Sequence, residues 1–361
     1  MMFMSTPSLG TMFASTLVAL LGVVGPLVNS ANSGIRIGLE FVTADQPIDF
    51  LTFPGRDPTQ FIQPWQLTDA SNQFVQDGAF EGRTEDEVRG AIIAGVLDKY
   101  YDLETPDGTE LNIDFVVGRV TGAQSVNVLL GQHNFGPPSA FWFGFTNPGY
   151  ALGQPQGENM AAISMDRLDS LLDVEFSEFE IALNTVVNTT AHEIAHLFDL
   201  QHVCATVGAA ECGPDAPVVQ EPFDLMATGP SGLPETGWTT DNIFTNVMGT
   251  QSGGQSSVGL LSQNVGMRSI GDTDEDGDVD TMDITTAFMN YTGPVGMIGG
   301  RRFSEGDFDH DFDVDTRDLV TALIRFTGAL GEGQIRVVPE PAGWIVVLLA
   351  LPSLFLVRLR R

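Results

Sequence analysis

The most constraining feature of this chain is the spacing of its histidines. Of five histidines in 361 residues, three fall in the segment TAHEIAHLFDLQH, at positions 192, 196 and 202. Residues four apart lie on one face of an α-helix, so His192 and His196 can reach a common point. His202 lies six residues further and cannot share that face. The helix must therefore end near Phe198 or Asp199, and the chain must then turn back.

This spacing favours a zinc site in which His192, His196 and His202 are the ligands. Two imidazoles one turn apart and a third from beyond the helix leave one coordination position open, as a catalytic zinc ion requires. Glu193 points to the side of the pair, where it can serve as a general base. Another arrangement takes a downstream glutamate as third ligand; Glu221 is the candidate, although it lacks a helical setting.

The histidine segment resembles the metzincin zinc-peptidase signature HExxHxxGxxH, with Asp199 at the glycine position. Aspartate is among the few non-glycine residues that tolerate the left-handed backbone of such a turn. The resemblance implies a Met-turn downstream, and Met226 in EPFDLMATG is the candidate. It also implies hydrolysis of peptide bonds in a protein or peptide substrate, with one catalytic Zn²⁺ and Glu193 as the catalytic base.

Apolar periodicity around this segment predicts an α+β fold. Residues 83–103 and 177–200 have helical periodicity, and residues 111–120, 125–132 and 159–165 are typical of strands. The resemblance implies a zincin-like mixed sheet with a central zinc-binding helix, in a peptidase domain of residues 34–265. We expect a substrate to lie along an exposed strand edge above the helix, which residues 124–145 would supply.

The acidic residues show a second, separate pattern. The formal charge is −31, which excludes nucleic acid as a partner attracted by net charge. Thirteen of the 47 acids lie in DTDEDGDVDTMD (272–283) and DFDHDFDVDTRD (307–318). Both windows have the Asp spacing of EF-hand calcium loops, with Gly277 at the sixth position of the first and Phe312 in its place in the second. The predicted ligands of two structural Ca²⁺ ions are Asp272, Asp274, Asp276, Asp278 and Asp283, and then Asp307, Asp309, Asp311, Asp313 and Asp318.

Each loop is followed by one predicted helix that ends in Thr-Gly, and the two units are 35 residues apart. This repeat resembles the dockerin domain, a small all-α calcium-binding domain, over residues 266–330. So many carboxylates repel one another, so we expect this part to fold only with calcium. The resemblance implies docking to a cohesin-like partner; a calcium-stiffened spacer is the alternative.

The amino-terminal segment is typical of export. Residues 11–28 form an apolar run followed by NSANSG, which resembles a secretory signal peptide over residues 1–33. A buried hydrophobic helix is the alternative. In an exported protein Cys204 and Cys212 favour a small disulfide loop, with a metal role as the alternative.

The carboxyl-terminal segment also indicates that most of the chain is exported. After a linker (331–338), Pro339-Glu340-Pro341 precedes an apolar stretch and a final cluster of arginines. Arginines remain on the cytoplasmic side, so the rest of the chain would lie outside. Residues 339–361 resemble the PEP-CTERM sorting tail of some bacteria. This implies an exosortase-type processing enzyme, a tail initially in the inner membrane, and a final location in the cell envelope or outside the cell.

Together these patterns predict an exported zinc metalloendopeptidase with a calcium module and a transmembrane sorting tail. The alternative is a non-catalytic cell-surface protein with a structural zinc site, which acts through docking of the dockerin-like module. The two hypotheses differ in the coordination of the zinc ion, because a structural zinc site is closed by a fourth protein ligand, whereas a catalytic site keeps one position open.

Overall fold

The computed structural model describes eleven stretches of the chain. These are residues 34–47, 61–67, 78–103, 108–122, 125–132, 144–146, 161–164, 178–203, 224–226, 242–244 and 256–328. The predicted signal peptide, linker and sorting tail, and Cys204, Cys212 and Glu221, lie outside the described residues. Within the described part, no helix combines the length and the apolar character that a membrane crossing requires.

A five-stranded mixed sheet forms the centre of the fold, in the order β5–β1–β6–β8–β7. Four neighbouring strands are parallel, and β7 runs antiparallel to β8. The strands are β1 (Ile35–Phe41), β5 (Ile113–Val117), β6 (Ser125–Gly131), β7 (Gly144–Thr146) and β8 (Ala161–Ser164). The predicted strands at 111–120, 125–132 and 159–165 are confirmed. Strand β6 lies inside the sheet, so β7 is the only part of residues 124–145 at an edge of the described sheet.

Helix α1 spans Glu85–Tyr101, which confirms the helix predicted over 83–103. Its start is fixed by a capping box, in which the Thr84 hydroxyl accepts from the Glu87 N–H and the Glu87 carboxylate accepts from the Thr84 N–H. Side chains at the helical spacing 88, 92, 96 and 100 are all at most 1% exposed. This buried stripe packs the helix into the main core.

Helix α2 spans Phe179–Leu197 and carries the first two histidines, as the periodicity predicts. It crosses the core, so even its polar residues from Thr185 to Thr190 are buried. Buried hydroxyl groups need hydrogen-bond partners. Thr185, Thr189 and Thr190 each donate to the carbonyl oxygen four residues earlier in the helix. The buried threonine hydroxyls are therefore satisfied within the helix itself.

The remaining described elements are small. Strands β2 (Gln46–Pro47) and β3 (Phe61–Ile62) form one antiparallel pair, and β4 (Thr109–Leu111) and β9 (Met267–Ser269) form another. Three further helices follow: α3 (Ser257–Val265), α4 (Thr281–Met289) and α5 (Thr316–Arg325). Two short 3₁₀ helices, Gly296–Ile298 and Phe303–Glu305, lie between α4 and α5. Strand β9 lies just past the predicted domain boundary at 265, yet it pairs with β4 of the preceding region.

The two helix-loop units after residue 266 are joined by reciprocal hydrogen bonds. The Thr292 N–H donates to the Val314 carbonyl (2.9 Å), and the Val314 N–H donates to the Thr292 hydroxyl (3.0 Å). Thr327 and Val279 form the same pair of bonds, each at 2.9 Å. Each valine is the eighth residue of one predicted calcium loop, and each threonine follows the helix of the other unit. The repeated Thr-Gly therefore joins the two units of what we call the calcium module.

Candidate metal centres

The structure brings His192, His196 and His202 together at one point. Their Nε2 atoms are separated by 3.0 Å (His192 to His196) and 3.1 Å (His202 to each of the others). His192 is buried, His196 is half-buried and His202 is exposed. The cluster thus has a buried side and a side that faces solvent.

The position of His202 follows from the way helix α2 ends. Asp199 has a φ of 64°, and the Asp199 and Leu200 N–H groups donate to the carbonyls of His196 (3.1 Å) and Ala195 (3.3 Å). This pair of bonds is a Schellman motif with Asp199 at the left-handed position. Asp199 thus has the left-handed backbone that we expect from the sequence at this position. The chain consequently reverses and returns His202 to the two helical histidines.

The segment Asp224–Met226 contacts the histidine cluster at His192 and beside His202. The Leu225 carbonyl lies 2.6 Å from His192 Nδ1, and the Met226 carbonyl accepts from the Val203 N–H (2.7 Å) next to His202. Met226 itself is fully buried in the main core. The predicted Met-turn residue therefore lies in a tight turn beside the histidines.

The Asp224 side chain holds this turn in shape. Its Oδ1 accepts from the Met226 N–H (2.8 Å) and from the Ser257 hydroxyl (3.1 Å), and the residue is 1% exposed. The Leu225 N–H donates to the Ile243 carbonyl at 2.9 Å. Residues from three separate parts of the chain thus orient one histidine ring.

These carbonyl partners determine which ring nitrogen carries the proton. A carbonyl oxygen only accepts, so the Nδ1 atoms of His192 and His196 must donate, to Leu225 and Leu200 respectively. Burial, and then the neighbouring imidazoles, lower the pKa of His192 well below its usual value, although the bond to Leu225 opposes this. Burial also lowers the pKa of His196, against the bond to the Leu200 carbonyl. Both rings are therefore neutral, with bare Nε2 lone pairs.

The donor set fits a metal ion such as zinc. Two bare Nε2 lone pairs 3.0 Å apart repel each other unless a cation lies between them. Neutral imidazole that donates its other N–H to a backbone carbonyl is the usual form of a zinc ligand. Within the described residues the cluster contains three histidines and no aspartate, glutamate or cysteine. Such a set leaves a coordination position open.

Glu193 occupies the helix position next to His192 and is half-buried. One residue corresponds to about 100° of rotation around a helix, so its carboxylate leaves α2 beside the pair of rings rather than between them. The role of Glu193 as a general base remains a prediction. Helix α2 also packs against β7 and β8. The edge of the described sheet is therefore next to the helix that carries the histidines.

The first predicted calcium loop, residues 272–283, turns around Asp272. Its Oδ1 accepts from the Asp276 N–H (3.2 Å) and its Oδ2 from the Gly277 N–H (2.9 Å). At the other end Asp283 accepts from the N–H groups of Thr273 (2.6 Å) and Asp280 (2.7 Å). The first and last carboxylates of the loop therefore shape its backbone.

The second loop, residues 307–318, repeats these contacts despite Phe312 at the sixth position. The Phe312 N–H donates to Asp307 Oδ2 (3.0 Å), and Asp318 accepts from the N–H groups of Phe308 (2.7 Å) and Asp315 (2.8 Å). Phe312 has a φ of 70°, and Gly277 has 97°. The phenylalanine thus adopts a backbone that favours glycine, and the loop closes as the first one does.

The carboxylates of each loop form two triplets. Positions 1, 3 and 5 lie together, and so do positions 7, 9 and 12, with the ligand atoms of each triplet within 4.8 Å of one another. The triplets are Asp272, Asp274 and Asp276; Asp278, Asp280 and Asp283; Asp307, Asp309 and Asp311; Asp313, Asp315 and Asp318. The predicted ligand sets are thus divided between two groups in each loop. Asp280 and Asp315, which were not predicted as ligands, cap α4 and α5.

Buried oxygens in the second loop fit a hard cation. Asp307 Oδ1 and Asp313 Oδ1 are buried without a hydrogen-bond partner, and Ca²⁺ prefers carboxylate oxygens. Burial, and then the neighbouring aspartates, raise the pKa of Asp307 to about 9 and that of Asp309 to about 7. Burial is also the main reason that the pKa of Asp272 rises to about 6. A bound cation would keep these carboxylates ionised.

Sequence reasoning missed several residues of these sites. Ser257 has no motif that marks it, the sequence assigned no role to the Asp224 side chain, and the carbonyls of Leu200 and Leu225 are backbone groups. The side-chain amide of Asn264 donates to the Phe198 carbonyl (2.7 Å) and so satisfies the end of α2. The resemblance of the segment around Met226 to a Met-turn was the sequence signal for this turn.

The chain was compared with sequence models of protein families, with curated proteins and with solved structures, and no match was found.

Proposed function

We propose that this protein is an exported zinc endopeptidase of the metzincin type. The observation that supports this best is the group of three Nε2 atoms, each within 3.1 Å of the others, with two of the rings fixed by backbone carbonyls. His192, His196 and His202 would hold the zinc ion. The mixed sheet, the helix α2 and the turn at Met226 support the zincin-like fold that we propose with it.

When bound, zinc would supply Lewis-acid chemistry, which acidifies a water molecule and polarises a carbonyl group. Glu193 would accept the proton of the attacking water at its carboxylate and later donate it to the leaving amine. The Leu225 and Leu200 carbonyls keep the rings of His192 and His196 in the tautomer that binds a metal. The exposed side of the cluster, at His202, would admit the substrate.

We propose that the substrate is a protein segment in extended conformation. Strand β7 is the last strand of the described sheet and runs antiparallel to its neighbour β8, and both pack against α2. An extended peptide can add to the edge of a sheet through main-chain hydrogen bonds, with little demand on its side chains. An edge beside the histidine helix would place a peptide bond near Glu193.

The calcium module would bind two structural Ca²⁺ ions through the carboxylates of its two loops. We keep the dockerin-type assignment, with a cohesin-like partner, as part of the proposal. The signal peptide and sorting tail would place the protein in the cell envelope or outside a bacterial cell, after processing by an exosortase-type enzyme.

The direct test is cleavage of casein by the full chain purified with zinc and calcium. We expect Glu193→Gln to retain zinc and to lose activity by about 10²–10⁴-fold, the usual contribution of a general base. Glu180→Gln is the matched control, because Glu180 lies exposed on the first turn of the same helix. Zinc content is measured for all three proteins. A zinc-loaded wild type that never cleaves casein or a broad peptide library would contradict the proposal.

A non-catalytic cell-surface protein, with a structural zinc site and a docking role for the calcium module, is the second candidate, favoured by exposed apolar side chains in that module. Met289 on α4 and Ile324 on α5 are each 77% exposed. Large exposed apolar patches mark interaction sites when they are contiguous. Zinc retention together with inactivity of the wild type would favour this candidate.

A further inference from the structure

The fourth residue of each calcium loop contacts the peptidase region. Glu275 and His310 occupy these equivalent positions, and both have positive φ angles (56° and 61°). Neither is a predicted calcium ligand. Glu275 Oε2 accepts from the Asn112 amide (3.3 Å), and His310 Nε2 lies 2.9 Å from Glu110 Oε2. Both loops thus contact the same short segment, residues 110–112, at the end of β4.

The second loop makes the more extensive contact with this region. Phe312 is 6% exposed and belongs to the main core rather than to the small core of the calcium module. Its N–H is held by the carboxylate of Asp307, the first residue of the loop. The burial of this ring against the peptidase region therefore depends on the shape of the second loop.

The same interface contains a buried ion cluster. Arg268 donates to Glu110 (2.8 Å) and Asp114 (2.6 Å), and its guanidinium group lies 3.6 Å from the ring centroid of Phe303. Glu110 is thereby shared between Arg268 and His310. A buried ion pair requires all its partners in place, so displacement of His310 would disturb this cluster.

Two adjacent tyrosines at the end of α1 connect this interface to helix α2, which carries His192 and His196. The Tyr101 ring stacks on the His310 ring, with centroids 3.4 Å apart and planes within 4°. Tyr100, its neighbour in sequence, is fully buried and donates its hydroxyl to the Ala191 carbonyl (2.7 Å). Ala191 directly precedes His192. A chain of contacts therefore runs from the second calcium loop through α1 to the first histidine.

We propose that calcium binding in the second loop organises the zinc site through this chain of contacts, so that the two metals bind cooperatively. The inference rests on the metal assignments proposed above. Without the ion, nothing binds the buried oxygens of Asp307 and Asp313 or compensates for the close approach of the Asp307, Asp309 and Asp311 side chains, and the loop loses its shape. His310 then leaves Tyr101 and Phe312 leaves the main core, so α1 no longer fixes the start of the histidine pair.

The test measures zinc affinity and amide hydrogen exchange in the full chain, with and without about 10 mM calcium, a concentration above the dissociation constants of about 10⁻⁴–10⁻³ M of extracellular calcium modules. Zinc affinity is read with a competing chromophoric chelator after removal of all metals. We expect calcium to increase zinc affinity by about tenfold, within the usual range of coupling between sites. We also expect calcium to slow exchange in residues 85–101. By reciprocity, zinc should increase calcium affinity by the same factor.

Two variants locate the coupling. His310→Ala removes the contact with Glu110 and Tyr101 without removing a predicted ligand. In this variant calcium should still bind, but it should no longer increase zinc affinity or slow exchange in residues 85–101. Tyr100→Phe removes only the hydroxyl bond to Ala191, so calcium should still slow exchange in residues 85–101 but should no longer increase zinc affinity. Met289→Ala, on the exposed face of the calcium module, is the matched control and should behave as wild type.

The inference is overturned if calcium binds to the wild type and changes neither zinc affinity nor exchange in residues 85–101. It is equally overturned if His310→Ala and Tyr100→Phe both keep the full calcium effect on zinc affinity. Neither readout requires catalysis. A chain that shows the coupling but never cleaves a protein would overturn the peptidase proposal and support this one.

Discussion

The Leu225 carbonyl oxygen lies 2.6 Å from Nδ1 of His192, so a backbone group 33 residues away sets the orientation of the most buried histidine in the cluster. Leu225 can do this because the Asp224 carboxylate holds the turn by accepting from the Met226 N–H and the Ser257 hydroxyl. The turn thus acts through the orientation of the His192 ring.

Asp224→Ala should therefore weaken zinc binding without removing a ligand. Loss of an outer partner of a metal ligand typically lowers metal affinity by about 10–100-fold. The matched variant Ser257→Ala removes only one of the two bonds to Asp224 and should have a smaller effect. Competition with a chromophoric chelator measures both affinities. If Asp224→Ala binds zinc as tightly as wild type, the turn does not position His192.

The conformation of Asp199 gives a second prediction, on stability. Its φ of 64° is available to glycine at little cost, and it costs an alanine about 1 kcal/mol. Asp199→Gly should therefore leave the free energy of unfolding nearly unchanged or slightly higher, and Asp199→Ala should lower it by about 1 kcal/mol. Urea unfolding at fixed zinc and calcium measures the difference. Equal stability of the two variants would contradict the strain argument.

The sequence predicted those features that depend on local spacing. The pair His192 and His196 follows from helical periodicity, and the reversal that returns His202 follows from a helix end at a residue that tolerates positive φ. Both are local properties of about ten residues. The partners of the histidines could not be predicted, because a carbonyl such as that of Leu225 has no side-chain signature and comes from distant parts of the chain.

The calcium module likewise has features that the sequence predicts and contacts that it does not. The loops and the Thr-Gly repeat were visible as a pattern, whereas the contact of His310 with Glu110 and Tyr101 was not. The fourth position of a calcium loop carries no ligand, so its residue type is not constrained by the motif. Its role is defined only by the packing of the two regions, and the sequence gives no separate signal for that packing.

Phe312 provides a third prediction, which is that its glycine variant is more stable than its alanine variant. Loss of its buried ring should destabilise the protein by about 3 kcal/mol in either Phe312→Ala or Phe312→Gly. Alanine would keep the strained left-handed backbone, so Phe312→Gly should be more stable than Phe312→Ala by about 1 kcal/mol. At an ordinary core position alanine is the more stable of the two. Urea unfolding with calcium present measures the order, and the ordinary order would show that the backbone at 312 is not strained.

Glu110 provides the last prediction, on the pH dependence of stability. Burial acts to raise its pKa, but the positive charges of His310 and Arg268 and their hydrogen bonds outweigh burial, so the net pKa is lowered. Tyr101 also lies against this cluster, and Asp114 shares Arg268. A carboxylate with a lowered pKa in the folded state stabilises the protein above its unfolded pKa of about 4.3. This stabilisation is lost as the pH falls through the lower, folded value.

Glu110→Gln should reduce the free energy of unfolding at pH 7 by about 3 kcal/mol, because it breaks a buried ion pair that Asp114 only partly replaces. The difference between wild type and variant should then shrink as the pH is lowered below about 4.3. Glu40→Gln is the matched control, since Glu40 pairs with the partly exposed Arg119 and such a pair contributes less than about 1 kcal/mol. Urea unfolding between pH 7 and pH 3 measures all three proteins. A difference that stays constant across this range would mean that Glu110 does not titrate as the ion cluster requires.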